Sequence, residues 1–122
     1  MRFNSERPIF AQIAELVAAD VLAGRIGPGG RLPSARELAA SLEVNPNTAA
    51  RALQSLADSG IARCERGMGY FVAEAGADMA KAERRRRFFE EELPRLFKDM
   101  DELAVEPAEL LERYAARGGR KA

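Results

Sequence analysis

Histidine is absent from the 122 residues, and cysteine occurs once, at Cys64. Without imidazoles or paired thiolates a zinc site is not expected. A single thiol cannot staple the chain, which fits a cytoplasmic setting. No apolar run reaches membrane-spanning length, and no N-terminal signal segment is visible. Gly27-Pro28-Gly29-Gly30 is rich in glycine but lacks the Lys-Ser/Thr that completes a phosphate-binding loop, so it reads as a turn. No nucleophile stands beside a base, and the paired carboxylates lie on charged helix faces. Neither an enzyme nor a bound cofactor is therefore expected. Net charge is lacking as well, with 19 basic and 19 acidic residues. That balance counts against a nucleic-acid ligand, unless the arginines gather where phosphates would lie.

What is present is a helix whose start is written out. In Val44-Asn45-Pro46-Asn47-Thr48, Asn45 can cap a free N–H of the first turn. Pro46 suits the first helical position, where its missing N–H costs nothing. Ala49, Ala52, Leu53 and Leu56 then give one apolar face. The other face carries Asn47, Thr48, Arg51 and Gln54. Amide, hydroxyl and guanidinium groups near a helix N-terminus are what a major-groove reader uses. This stretch reads as a recognition helix ending at Ser59, with Gly60 as its stop.

The flanking elements fit that reading. Met1–Arg7 is polar and reads as short or loose. A first helix is expected from Pro8 to Ala23, burying Ile9, Ile13, Leu16, Val17 and Val21, with Gly24 as its stop. Arg31-Leu32 reads as a very short strand. Ser34 and Glu37 have capping-box spacing and open a second helix that ends near Leu42. Glu43-Val44 is then a tight turn, and the two helices form a helix-turn-helix. Ile61–Glu65 and Tyr70–Ala73 are strand-like runs, joined through Arg66-Gly67-Met68-Gly69 as a hairpin. The fold class expected is mainly α, with a small β component: an N-terminal winged helix-turn-helix over residues 1–75 and a short helical appendage over residues 76–122. Within the appendage Pro94 should kink or break a long helix. A short helix follows from Glu106-Pro107, and Arg117–Ala122 reads as a frayed basic tail.

Leu32-Pro33-Ser34-Ala35-Arg36-Glu37-Leu38-Ala39 matches the Leu-Pro-Ser-x-Arg-Glu-Leu-Ala signature of the GntR family of transcription regulators, which this sequence resembles. Gly67-Met68-Gly69-Tyr70-Phe71-Val72 is similar to that family's wing ending, Gly-x-Gly-Thr-Phe-Val. Val44–Thr48 with Arg51-Ala52, together with a short tail, resembles the YtrA subfamily in particular. The resemblance implies double-stranded DNA as partner, a homodimer formed through two C-terminal helices, and repression as the output. Two departures matter. Pro46 and Ala50 stand where many relatives carry arginine, so their base contacts cannot be transferred to this chain. Met68 and Tyr70 replace an often basic residue and the threonine of the wing.

Eight residues are the candidates for DNA contact. Arg36 lies in the first turn of its helix, where the helix dipole disfavours a cation, so stability does not account for it. Ser34 can both cap and meet a phosphate. Asn47, Thr48 and Arg51 are the base readers, with Asn45 chiefly a cap. Arg66 and Gly67 form the wing tip. Phe88, Phe89, Leu93, Leu96, Phe97, Leu110 and Leu111 are expected to form a dimer core in preference to an effector pocket. The run Arg84-Arg85-Arg86-Arg87 points in nearly all directions on a helix and can pair with Glu90, Glu91 and Glu92 one turn on. Two matters stay open at this level. One is an unidentified small-molecule effector in a cleft between dimer halves. The other is an alternative function as a winged-helix interaction module that docks a protein partner through the aromatic stretch.

Overall fold

The computed structural model describes residues 3–118. Its first helix, α1 (Ile9–Leu22), starts after Pro8, whose carbonyl accepts from the N–H groups of Ala11 and Gln12. Ile13, Val17 and Val21 recur every four residues and are almost fully buried. Ile9 does not share that burial and is 45% exposed. The polar segment before the helix is bonded one turn further on instead. Gln12 Nε2 donates to the carbonyls of Asn4 and Arg7 at 2.8 and 2.9 Å, and its Oε1 accepts from the Asn4 N–H at 3.1 Å. Arg7 also grips Glu15 with both terminal guanidinium nitrogens. The expected loose start is thus tied down from Asn4 to Arg7, because one buried glutamine satisfies three backbone groups. Met1 and Arg2 lie outside the described residues.

Helix α2 (Ala35–Leu42) has the full capping box. Ser34 Oγ accepts from the Glu37 N–H at 3.1 Å, and Glu37 Oε1 accepts from the Ser34 N–H at 2.8 Å. These bonds to Ser34, with the nearby Arg31 guanidinium, hold the Glu37 carboxyl below its ordinary range. The helix ends on Glu43 in the left-handed region, at φ 54 and ψ 50. Helix α3 (Pro46–Asp58) follows, with Asn45 Oδ1 accepting from the Asn47 N–H at 2.7 Å. Ala49, Ala52, Leu53 and Leu56 form its buried face, as the spacing predicts.

Glu43 is where the helix-turn-helix stores strain. A residue with a Cβ loses about 1–2 kcal/mol in this conformation, while glycine there loses about 0.5–1 kcal/mol more chain entropy on folding. Glu43→Gly should therefore stabilise the fold by about 0.5 kcal/mol, a rise of about 2–4 °C in the melting midpoint. An unchanged or lower midpoint in a thermal melt would show that the turn is not strained.

Strands β1 (Ala62–Glu65) and β2 (Gly69–Val72) pair antiparallel, with Ala62 opposite Val72 and Cys64 opposite Tyr70. Ile61 and Ala73 fall just outside the strands, though the Ala73 N–H still donates to the Ile61 carbonyl at 3.0 Å. The short strand expected at Arg31-Leu32 is reduced to one bridge, Arg31 opposite Phe71. Its neighbours nonetheless hold the hairpin: Leu32 N–H donates to the Tyr70 carbonyl and Val72 N–H to the Gly30 carbonyl, both at 2.8 Å. Ile13, Val21, Leu32, Leu53, Leu56 and Val72 meet in the core.

By contacts the chain divides into Met1–Arg84 and Arg85–Ala122. Helix α4 (Gly76–Arg87) begins in the first unit, where Gly76 and Ala80 are buried. The second unit does not break at Pro94. A π-helical turn, Phe88–Glu92, leads straight into α5 (Leu93–Leu103). There the Leu93 N–H donates to the Phe88 carbonyl, five residues back. Proline removes an N–H and its ring crowds the carbonyl four residues earlier. The wider π turn accommodates both effects without ending the helix. Ala104, at φ 55, closes α5, and α6 (Pro107–Ala116) follows. Of the expected basic tail, residues 119–122 lie outside the described residues.

Candidate nucleic-acid interface

Three elements of the first unit carry the candidate residues. On α3, Asn47, Arg51 and Gln54 are exposed and Thr48 is half-buried, so the polar face is open as expected. Arg51 is not free to sweep: its guanidinium stacks 4.0 Å above the ring of Phe10 on α1. Such a contact is worth about 0.5–1 kcal/mol at an exposed site and fixes the plane of the fork. Gln54 is held at both ends. Its Nε2 donates to Asp58 Oδ1 at 2.9 Å, and its Oε1 accepts from the Tyr70 hydroxyl at 3.1 Å. Burial, with Cys64 and Asp58 nearby, pushes the Tyr70 phenol above its ordinary value of 10, so it stays protonated and able to donate.

At the start of α2, Ser34 Oγ is engaged as acceptor in the cap. Arg36 is exposed and makes no ion pair among the described residues. At the wing, the Met68 N–H donates to the Glu65 carbonyl at 2.9 Å. The turn so closed places Gly67 at φ 75, a conformation that favours glycine. Arg66 and Gly67 are exposed at its tip. Arg63 faces away from the Cys64–Tyr70 side, stacking on Phe71 and pairing with Glu65 at 3.2 Å.

The sequence reading missed three residues of this face. Phe10 supports Arg51, and Tyr70 joins wing to helix. Arg31 lies between the α2 start and the wing: it is 3.6 Å from Glu37, and a Cβ on Gly69 would sit 3.5 Å from its Nε. Arg31 could have been noticed as a cation directly preceding the Leu-Pro-Ser motif. The partners of Phe10 and Tyr70 are far away in sequence, and periodicity carries no information about them. Among the described residues no cluster of metal-ligating side chains occurs, and no helix is long and apolar enough to cross a membrane.

The model of bacterial regulatory proteins of the gntR family matches residues 10–72. This chain belongs to the GntR family. The GntR match covers α1 through the wing, the part of the fold that carries the candidate residues. The HTH-type transcriptional regulator YhcF of Bacillus subtilis (strain 168) is 36% identical over 111 residues, spanning 91% of this chain and 90% of YhcF. The HTH-type transcriptional repressor YtrA of the same organism is 35% identical over 123 residues, spanning 97% of this chain and 94% of YtrA. A GntR family transcriptional regulator from Listeria monocytogenes superposes with a TM-score of 0.74 at 26% identity, covering 93% of this chain and 98% of that one. The protein is therefore a winged helix-turn-helix, DNA-binding transcription regulator of the GntR family, not an enzyme.

The rest of this GntR protein carries the apolar surface. Phe89 and Phe97 are about half exposed, Leu111 more so, and Phe88 and Leu96 somewhat less. Leu93 and Leu110 are half-buried. Phe88 and Phe89 meet edge to face at 5.1 Å, and the Arg85 guanidinium lies over the Phe89 ring at 5.4 Å. Arg86 pairs with Glu90 at 3.0 Å and Glu91 at 3.8 Å, the ion-pair arrangement read from the sequence. Leu93, Leu96, Phe97, Met100, Leu110 and Leu111 line an open cleft of about 590 Å³ between α5 and α6. Each of the two units has as many acidic as basic residues, so neither is a basic body.

Proposed function

We propose that the protein acts in the cytoplasm as a homodimeric repressor that covers a near-palindromic operator. Two α3 helices would enter successive major grooves about 34 Å apart. Asn47, Thr48 and Arg51 read base edges. Ser34, Arg36, Arg66 and the backbone at Gly67 hold phosphates and set register, while Asn45 fixes the helix start. The observation that carries this reading is the α3 face, where polar groups stand open at the N-terminal turns and the Arg51 fork is already oriented by Phe10. The similarity to the repressor YtrA over nearly the full chain supports repression as the output.

The dimer rests on Phe88, Phe89, Leu93, Leu96, Phe97, Leu110 and Leu111. Side chains of this size, open together on one small unit, are the composition of an interface core. An unidentified small-molecule effector would act in a cleft between the dimer halves. The test is selection from a random duplex pool, with the mass in solution recorded alongside. A two-fold motif and a mass twice 13.4 kDa are expected. Phe97→Glu should bring the mass down to the monomer and weaken operator binding. A wild-type monomer that selects a single half-site would sink the dimer and hand the aromatic surface to a different protein partner.

A further inference from the structure

The bonds around Gln54 have a use beyond fold stability. Gln54 is exposed on the same face as Asn47 and Arg51, and its amide is the group that pairs with adenine. It lies seven residues beyond Asn47, about 10 Å along the axis at 1.5 Å per residue. Bases are read chiefly from the N-terminal turns of such a helix. Both ends of its amide are also engaged, the oxygen by Tyr70 and the nitrogen by Asp58. The Tyr70 bond spans sixteen residues of sequence and joins the second wing strand to the recognition helix. A threonine, the residue in the family's wing pattern at this place, has its hydroxyl on Cβ and is too short to make this bond.

We propose that Tyr70 is a positioning residue for DNA binding: through Gln54 it locks the wing to α3, so that Arg66 and the reading face meet the duplex as one body. Gln54 is then a strut and not a base reader. The inference rests on the reading above that Arg66 contacts a phosphate. Without the strut, β2 keeps its backbone bonds to Gly29, Gly30 and Leu32 and its bridge to Arg31, but the wing loses this side-chain tie to α3, and Arg66 at the tip is held less firmly over the DNA backbone.

The experiment is a double-mutant cycle on the full-length protein: wild type, Tyr70→Phe, Arg66→Ala and the double variant. Affinity for cognate and scrambled duplexes is measured across a salt series. Arg66→Ala should flatten the plot of log affinity against log salt by about one unit. Tyr70→Phe removes a single hydroxyl and should weaken both duplexes about 3- to 10-fold, the range of one hydrogen bond, with part of the same flattening. The double variant should bind no more weakly than Arg66→Ala. Gln54→Ala breaks the bond from the other side, replaces Tyr70→Phe if that variant melts early, and should leave the selected motif unchanged. Additive effects, or a changed base preference in Gln54→Ala, overturn the strut while leaving Arg66 in place. An Arg66→Ala protein with the wild-type salt slope overturns the phosphate contact and the strut with it.

Discussion

Gly76→Ala should destabilise the first unit by about 2–3 kcal/mol, near the upper end for overpacking a well-filled site. A Cβ at this position would lie 2.5 Å from the Ile61 carbonyl oxygen and 2.8 Å from Val72 Cγ1. Neither neighbour can give way. The Ile61 carbonyl accepts from the Ala73 N–H, and Val72 is 1% exposed in the core. The first turn of α4 would have to lift off the hairpin base, or the hairpin would have to shift. Gly27→Ala is the matched control, since nothing lies within 4 Å of a Cβ there. Thermal melts of the two variants test the prediction. A midpoint for Gly76→Ala within a degree or two of wild type would mean that the junction of β2 and α4 is looser than described.

The second large effect concerns Arg51. Arg51→Ala should lower affinity for the selected operator by about 10- to 100-fold, the range of one bidentate base contact. Scrambled duplex should be affected far less. Arg36→Ala should behave differently, weakening both duplexes by similar factors and flattening the salt dependence by about one unit. The contrast separates a base reader from a phosphate contact within one pair of titrations. Equal losses on both duplexes for Arg51→Ala would move Arg51 into the phosphate class and leave base reading to Asn47 and Thr48. The variant also loses the stack on Phe10, so about 0.5–1 kcal/mol of stability should go with it. That loss is too small to unfold the protein at the temperature of the titration.

The features legible in the sequence are those set by bonds within one turn. The Ser34–Glu37 box, the Asn45 cap and the Pro46 start all join residues at most four apart, and each stands where the sequence puts it. The apolar face of α3 is equally readable, because burial there follows a single period. Misreadings occur where a second element decides. Ile9 keeps the period of α1 but has no core against it. The opening residues read as loose because nothing in Asn4–Arg7 announces that Gln12 will bind their backbone. Pro94 is a different case. Its local rule predicts a kink or a break, and of the two the break does not occur, because a π turn carries the helix on. Within the candidate site, the side chains on α3 could be named from the sequence. Their supports on α1 and in the wing could not, because contacts such as Arg51 with Phe10 arise only on folding.

The even charge balance of both units has a consequence for how the regulator finds its site. A strongly basic protein is held by any stretch of chromosome, spends most of its time there, and searches by sliding. On the proposed contacts Arg36, Arg51 and Arg66, with Arg31 beside them, would be the DNA-facing guanidiniums of one protomer, so the sequence-independent hold would be small and its salt dependence shallow. Most molecules not on the operator would then be in free solution, and arrival would be by three-dimensional diffusion without much electrostatic acceleration. Operator occupancy under these conditions would follow the number of copies in the cell almost directly, with little buffering by the rest of the genome. A gene under such control responds to a modest change in regulator synthesis as sharply as to a change in the regulator's affinity.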